Sequence, residues 1–197
     1  MNNILDDPFL LFHMPSKNFE DLDLIYWDKT YEKVDPMASS YKVIDAVKKY
    51  KTILLIGEGS SSGMGLKADE NRLILNRVNS YYFRQFRQTI IGIFEGATDF
   101  ARFAGFTGLF LGSVVFDTEG ALKNYSSMSQ KELDEHRYEW CLDLSNLIRN
   151  YPLKEIPGRM IEIGKKHPEG LRRYNYSSLS YLEYGHELNP YTYPVNP

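Results

Sequence analysis

One cysteine, Cys141, is all that the chain contains, so an internal disulfide framework and a cysteine-built zinc site are both excluded and packing must hold the fold. Neither sign of charge dominates. Lys and Arg number 23 against 26 Asp and Glu, a formal net charge of −3, which supplies no general attraction for nucleic acid or an anionic membrane. A bilayer-spanning helix needs about 20 consecutive apolar residues, and the longest charge-free apolar stretch, residues 103–116, is shorter than that. The opening MNNILDDPFLLFHMP has Asp6 and Asp7 where a signal peptide carries basic residues, and His13 interrupts its apolar part. This predicts a protein that is cytoplasmic at synthesis, with any export left to a specialised secretion system. Internal repeats and heptads are missing as well.

What the chain does have is apolar substance. With 43% hydrophobic and 14% aromatic residues in 197, it can bury a sizeable core and reads as one globular domain, residues 1–197. Its last part, residues 168–197, is punctuated by Pro168, Pro190, Pro194 and Pro197 and crowded with Tyr174, Tyr176, Tyr181, Tyr184, Tyr191 and Tyr193. So aromatic a segment is expected to wrap over the domain or to bind a partner.

Periodicity predicts a short amphipathic helix in residues 16–34, through Phe19, Leu22, Ile25 and Tyr26, and a second opened by Asp35-Pro36 with Tyr41, Ile44 and Val47 as its stripe. A strand is expected at Thr52–Ile56. Residues 66–88 follow a helical period through Ile74 and Val78 and carry Arg72, Arg77, Arg84 and Arg87, either as a solvated basic face or as a phosphate-binding one. Residues 90–116 read as a buried central hairpin in which Gly92 with Gly96, and Gly108 with Gly112, permit close approach. Ser129-x-x-Glu132 is a capping box opening a helix to residue 150, with Leu133, Trp140 and Leu144 facing inward. The expected fold class is α+β: a mainly helical single domain with a small sheet and apolar central helices.

Three constellations could carry chemistry. In TILLIGEGSSSGMG, residues 52–65, the spacing Gly57-x-Gly59-x-x-x-Gly63 suits a phosphate-cradling turn, while Gly59-Ser60-Ser61-Ser62-Gly63 fits a nucleophile elbow with Ser61 at its apex. Asp99 or Asp117 with His136 would complete a serine-hydrolase triad. Both motifs belong to folds with several parallel strands, of which the periodicity predicts only residues 52–56 and 109–116, and a surface loop is the plain alternative. Glu95, Asp99 and Arg102, spaced by four and three, would share one face of a helix in apolar surroundings. There a desolvated carboxylate gains acid or base character, and Asp99 leads this set; the plain alternative is an Asp99–Arg102 ion pair. Finally, Glu132, Glu135, His136, Arg137 and Glu139 form a charged helix face. A metal would need further ligands such as His167 or His186, and with no H-E-x-x-H spacing no metal or cofactor is assigned.

The run Gly96-Ala97-Thr98-Asp99-Phe100-Ala101-Arg102-Phe103-Ala104-Gly105-Phe106-Thr107, with Trp27-Asp28-Lys29 upstream and an apolar helix at residues 134–148, resembles the type 44 polymorphic-toxin domain. That family has a G-A-T-G-x-A-x-G-F-like centre after a W-D-x-K-like element. The resemblance implies a toxin domain delivered between bacteria by a specialised secretion route, with a cognate immunity protein as partner, and leaves its chemistry open; the expectation is a hydrolytic effector of unstated substrate. The residues expected to act are Asp99, Glu95 and Arg102, followed by Ser61 and His136. The contrary expectation is a non-enzymatic acidic binding protein of immunity or inhibitor type.

Overall fold

The computed structural model describes residues 4–14, 16, 19–60, 65–70, 72–124 and 127–188. In chain order they form β1 (Phe9–His13), a 3-10 segment (Glu20–Ile25), β2 (Tyr31–Lys33), α1 (Ser40–Val47), β3 (Thr52–Ile56), and a ribbon of β4 (Gly65–Asp69) with β5 (Arg72–Asn76). Then come α2 (Ser80–Gln85), β6 (Thr89–Ile93), α3 (Ala97–Ala104), β7 (Thr107–Leu111), α4 (Thr118–Asn124), α5 (Gln130–Asn150), α6 (Ile156–Gly164), α7 (Glu169–Leu171), β8 (Leu179–Glu183) and β9 (His186–Glu187).

Seven strands make one sheet in the order β2-β1-β3-β6-β7-β8-β9. The first five of that order run parallel, and β8 and β9 are antiparallel additions at one edge. The protein is therefore α/β, and the expectation of a mainly helical α+β domain with a small sheet is corrected. The reason lies in the strands themselves. β1, β3, β6 and β7 are runs of Phe, Leu and Ile buried almost residue for residue. A strand covered on both faces loses the alternation that distinguishes it from a buried helix. Residues 90–116 accordingly form not a helical hairpin but the β6–α3–β7 unit. Residues 66–88 are the β4–β5 ribbon plus the six-residue α2, and residues 16–34 yield a 3-10 segment and β2 in place of one helix.

Successive side chains of each strand enter opposite layers. Leu54 and Ile56 join Phe9, Leu11, Ile91 and Leu109 beneath α5 and α6, where Trp140, Leu144, Ile148 and Met160 cover them. Ile53 and Leu55 join Leu10, Phe12, Ile90 and Phe110 beneath α1, α2 and α3, covered by Val43, Val47, Phe83 and Phe100. Gly108 is required where β7 meets β6: its φ is +143°, and a Cβ there would lie 1.8 Å from the Ile90 carbonyl oxygen.

The chain leaves β1 for β2 on one side and returns to lay β3, β6 and β7 on the other. This makes the carboxyl ends of β1 and β3 a topological switch point, where ligands of doubly wound sheets bind. The described part of the tyrosine-rich tail is integral to the fold, since β8 pairs with β7 from Gly108↔Leu182 to Leu111↔Leu179. Tyr191 and Tyr193 lie outside the described residues.

Candidate functional site

Beyond β3 the chain stays extended. Gly57 N–H donates to the Ile93 carbonyl at 3.2 Å, Lys67 N–H to Glu58 at 2.9 Å and Ser60 N–H to Gly65 at 2.9 Å. Gly59 bridges to Leu66, and a Cβ at Gly59 would sit 1.9 Å from the Glu95 carbonyl oxygen, so only glycine fits there. The glycine-serine turn thus runs from a strand into a strand, β4. A nucleophile elbow and a dinucleotide turn both require a helix at that point. Ser61 itself lies outside the described residues. On the turn's flank Glu58 is ion-paired to Lys67 at 2.6 Å.

Glu95, Asp99 and Arg102 do not share a buried face. Glu95 precedes α3 in the loop after β6, and α3 turns Phe100, Ala101 and Ala104 inward. The Asp99 side chain is 80% exposed and accepts a hydrogen bond from Arg102 at 3.0 Å, while Arg102 also reaches Glu187 at 2.5 Å. Exposed pairs of this kind orient side chains on a surface and leave the carboxylate in water.

His136 is placed differently. The capping box fixes the start of α5: Ser129 Oγ accepts from the Glu132 N–H at 3.3 Å and Ser129 N–H donates to Glu132 Oε2 at 2.8 Å. With Leu133, Trp140 and Leu144 turned inward, the 3.6-residue period sends His136, Glu139 and Asp143 along one flank. Opposite that flank the chain leaves α6 through a tight turn, His167 N–H donating to Gly164 at 3.0 Å. Gly164 lets Tyr176 approach, since a Cβ at Gly164 would meet the Tyr176 Cβ at 2.5 Å.

The result is a convergence of donors. Glu139 Oε2 lies 3.3 Å from His136 Nδ1 and 3.9 Å from His167 Nδ1, and the three residues offer ligand atoms all within 4.8 Å of one another. The two imidazoles meet edge to face at 5.7 Å, and His167 is stacked on Tyr176 with ring centroids 4.4 Å apart. The Tyr176 hydroxyl donates to Asp143 Oδ2 at 3.4 Å. Burial lowers the His167 pKa, which favours the neutral imidazole, and raises those of Asp143 and Tyr176. Zinc-ligand bonds of about 2.1 Å set tetrahedral edges near 3.4 Å. Both Glu139 separations are close to that, and the third requires only a modest inward movement of the imidazoles.

Helix α5, which carries two of the three donors, is anchored at the carboxyl end of β7. Residues just past β7 are tied to it: the Gln130 side-chain amide donates to the Phe116 carbonyl at 3.1 Å, Phe116 packs on Trp140, and Trp140 Nε1 donates to the Asn175 carbonyl at 3.2 Å. At the switch point itself, His13 Nδ1 is 2.5 Å from the Tyr26 hydroxyl.

Of the residues singled out in the sequence, the fold brings His136, Glu139 and His167 together; Asp99, Glu95, Arg102 and His186 lie apart from that group. Asp143 and Tyr176 were not anticipated. Helical spacing from His136 and Glu139 could have indicated Asp143, whereas nothing local points to Tyr176. No family model, curated protein or solved structure matches the chain.

Proposed function

We propose that this protein is a divalent-metal-dependent hydrolase whose ligands are His136, Glu139 and His167. The observation that carries the reading is the convergence of two imidazole nitrogens and a carboxylate oxygen within 4.8 Å. Two histidines and one glutamate are a donor set suited to zinc, and three protein ligands leave a fourth position open. A divalent ion held there would supply Lewis acidity and would lower the pKa of water, so that hydroxide, the nucleophile toward a carbonyl or phosphoryl centre, would be available near neutral pH. The chain's own residues hold the geometry. Tyr176 stacks on His167 and fixes its plane, and Asp143 anchors Tyr176 through its hydroxyl. Within this reading, the effector role implied by the toxin resemblance becomes that of a metal-dependent hydrolytic toxin.

The test is calorimetric titration of chelator-treated protein with Zn2+. One saturable site is expected, and His136→Ala or His167→Ala should weaken it by about a hundredfold or more, with a native far-UV spectrum retained. Zinc at about 100 times its Kd should add roughly 2.7 kcal/mol to stability. Expression in a bacterial host, directed to cytoplasm or periplasm, should arrest growth with the wild-type chain and not with His167→Ala. Zinc binding without hydrolysis or arrest would make the site structural. Absence of zinc binding would leave the non-enzymatic binding protein as the standing reading.

A further inference from the structure

The basic run noted in the sequence is only partly a solvated face. Arg72 and Arg77 lie against Met37 and the Phe103 ring, respectively. Arg84 and Arg87, by contrast, line a pocket of about 90 Å3 at the amino ends of β6 and β7. Phe83 and Phe106, 1% and 2% exposed, contribute its apolar wall, and Tyr184 stands at its rim, 68% exposed. Gln88 braces another wall by donating its amide to the carbonyls of Val47 and Tyr50.

Two features of the lining bear on what it could hold. Among the described residues, neither the Arg84 nor the Arg87 guanidinium has an acidic or hydrogen-bonding partner. Arg102, Arg137, Arg149 and Arg159 each sit on a carboxylate, whereas among the described residues Arg72, Arg77, Arg172 and Arg173 do not; what sets Arg84 and Arg87 apart is that both line one pocket. Further, the two non-glycine residues of positive φ among those described, Arg87 and Tyr184, both at 52°, are both in the lining. Arg87 is the first residue beyond the C-cap of α2, and Tyr184 with Gly185 (φ 81°) makes the two-residue β8–β9 turn, both places where left-handed backbone is ordinary; they shape the lining and are not themselves a mark of a ligand. The Tyr184 conformation is stabilised by its N–H, which donates to the Thr107 hydroxyl at 3.0 Å.

The geometry points to a phosphate-binding pocket, in which Arg84 and Arg87 grip the oxygens of one phosphate group. Two unneutralised guanidinium groups match a dianion better than a monoanionic carboxylate. Their planar forks suit tetrahedral oxyanions, and both arginines are exposed, so the site is open to a ligand from solvent. The phosphate is free or carried on a small molecule. The site requires no metal and stands independently of the hydrolase reading.

Its test is thermal unfolding of the chelator-treated protein at constant ionic strength, with inorganic phosphate, glycerol phosphate, sulfate or acetate added. Phosphate should raise the Tm saturably, acetate should not, and Arg84→Gln and Arg87→Gln should each weaken phosphate binding by about tenfold or more. Both variants should keep the zinc response of the parent, which separates loss of this pocket from loss of fold or of the metal site. Tighter binding of glycerol phosphate than of inorganic phosphate would identify a phosphate monoester as the ligand, and equal binding free phosphate. Equal stabilisation by acetate, no stabilisation by phosphate, or phosphate binding that survives both substitutions overturns the assignment.

Discussion

His13 ends β1 half-buried, with its Nδ1 on the Tyr26 hydroxyl and with Lys33, Asp23 and the Phe19 backbone around it. Burial and then Lys33 hold its pKa below the ordinary 6.5, against the opposing pull of Asp23. The same environment pushes the Tyr26 phenol up to about 12, chiefly through burial. The native state thus favours neutral His13, while the unfolded chain takes up a proton at about pH 6.5. The stabilisation is fully present above that pH and is lost as pH falls towards the folded value. Urea midpoints should therefore decline between about pH 7.5 and about pH 5.5, and less steeply in His13→Asn, which cannot ionise. An equal slope in the variant would show that other groups carry the dependence.

At the scale of elements, α5 does the most to build the candidate metal centre, because it supplies two of the three donors and the Trp140 anchor together. Its capping box satisfies backbone groups that the first helical turn leaves without partners. Ser129→Ala should cost about 1 kcal/mol of stability in urea denaturation. His136 stands in the second turn, so zinc affinity should fall by no more than a few fold. This helix was readable in advance because both its cap and its 3.6-residue period are local signals. The β6–α3–β7 unit was not, since its Leu, Ile and Phe runs are buried on both sides and show neither helical nor strand periodicity.

For the whole molecule, the two helical layers share one sheet, and neighbouring residues of β3 belong to different layers. Leu54 is buried with Trp140 under α5 and Leu55 with Phe100 under α3. Leu54→Ala and Leu55→Ala should each cost about 2–5 kcal/mol. Each should shift a single transition in which tryptophan fluorescence and far-UV circular dichroism coincide. Separate transitions would mean that the layers melt as independent units, contrary to a sheet whose central strand fills both cores.

The sequence by itself determined what depends on composition and on neighbours along the chain: a packed core without disulfides, the charge balance, the strand at Thr52–Ile56, and α5 with its cap. It also placed His136 and Glu139 near each other on a helix and named His167 or His186 as the further ligand a metal would need, while assigning no metal. Only the tertiary structure decided that the apolar runs pair into a parallel sheet, because strand partners far apart in the chain are chosen by burial of both faces and leave no periodic trace. The meeting of His167 with His136 was decided in the same way, by the packing of α6 against α5 and the close approach of Tyr176 to Gly164. So was the fate of the four arginines, which share one segment in sequence. Two lie against side chains on the surface, and two line one pocket, Arg84 from α2 and Arg87 from the residue beyond its C-cap, a meeting with Phe106 and Tyr184 that pattern and composition do not encode.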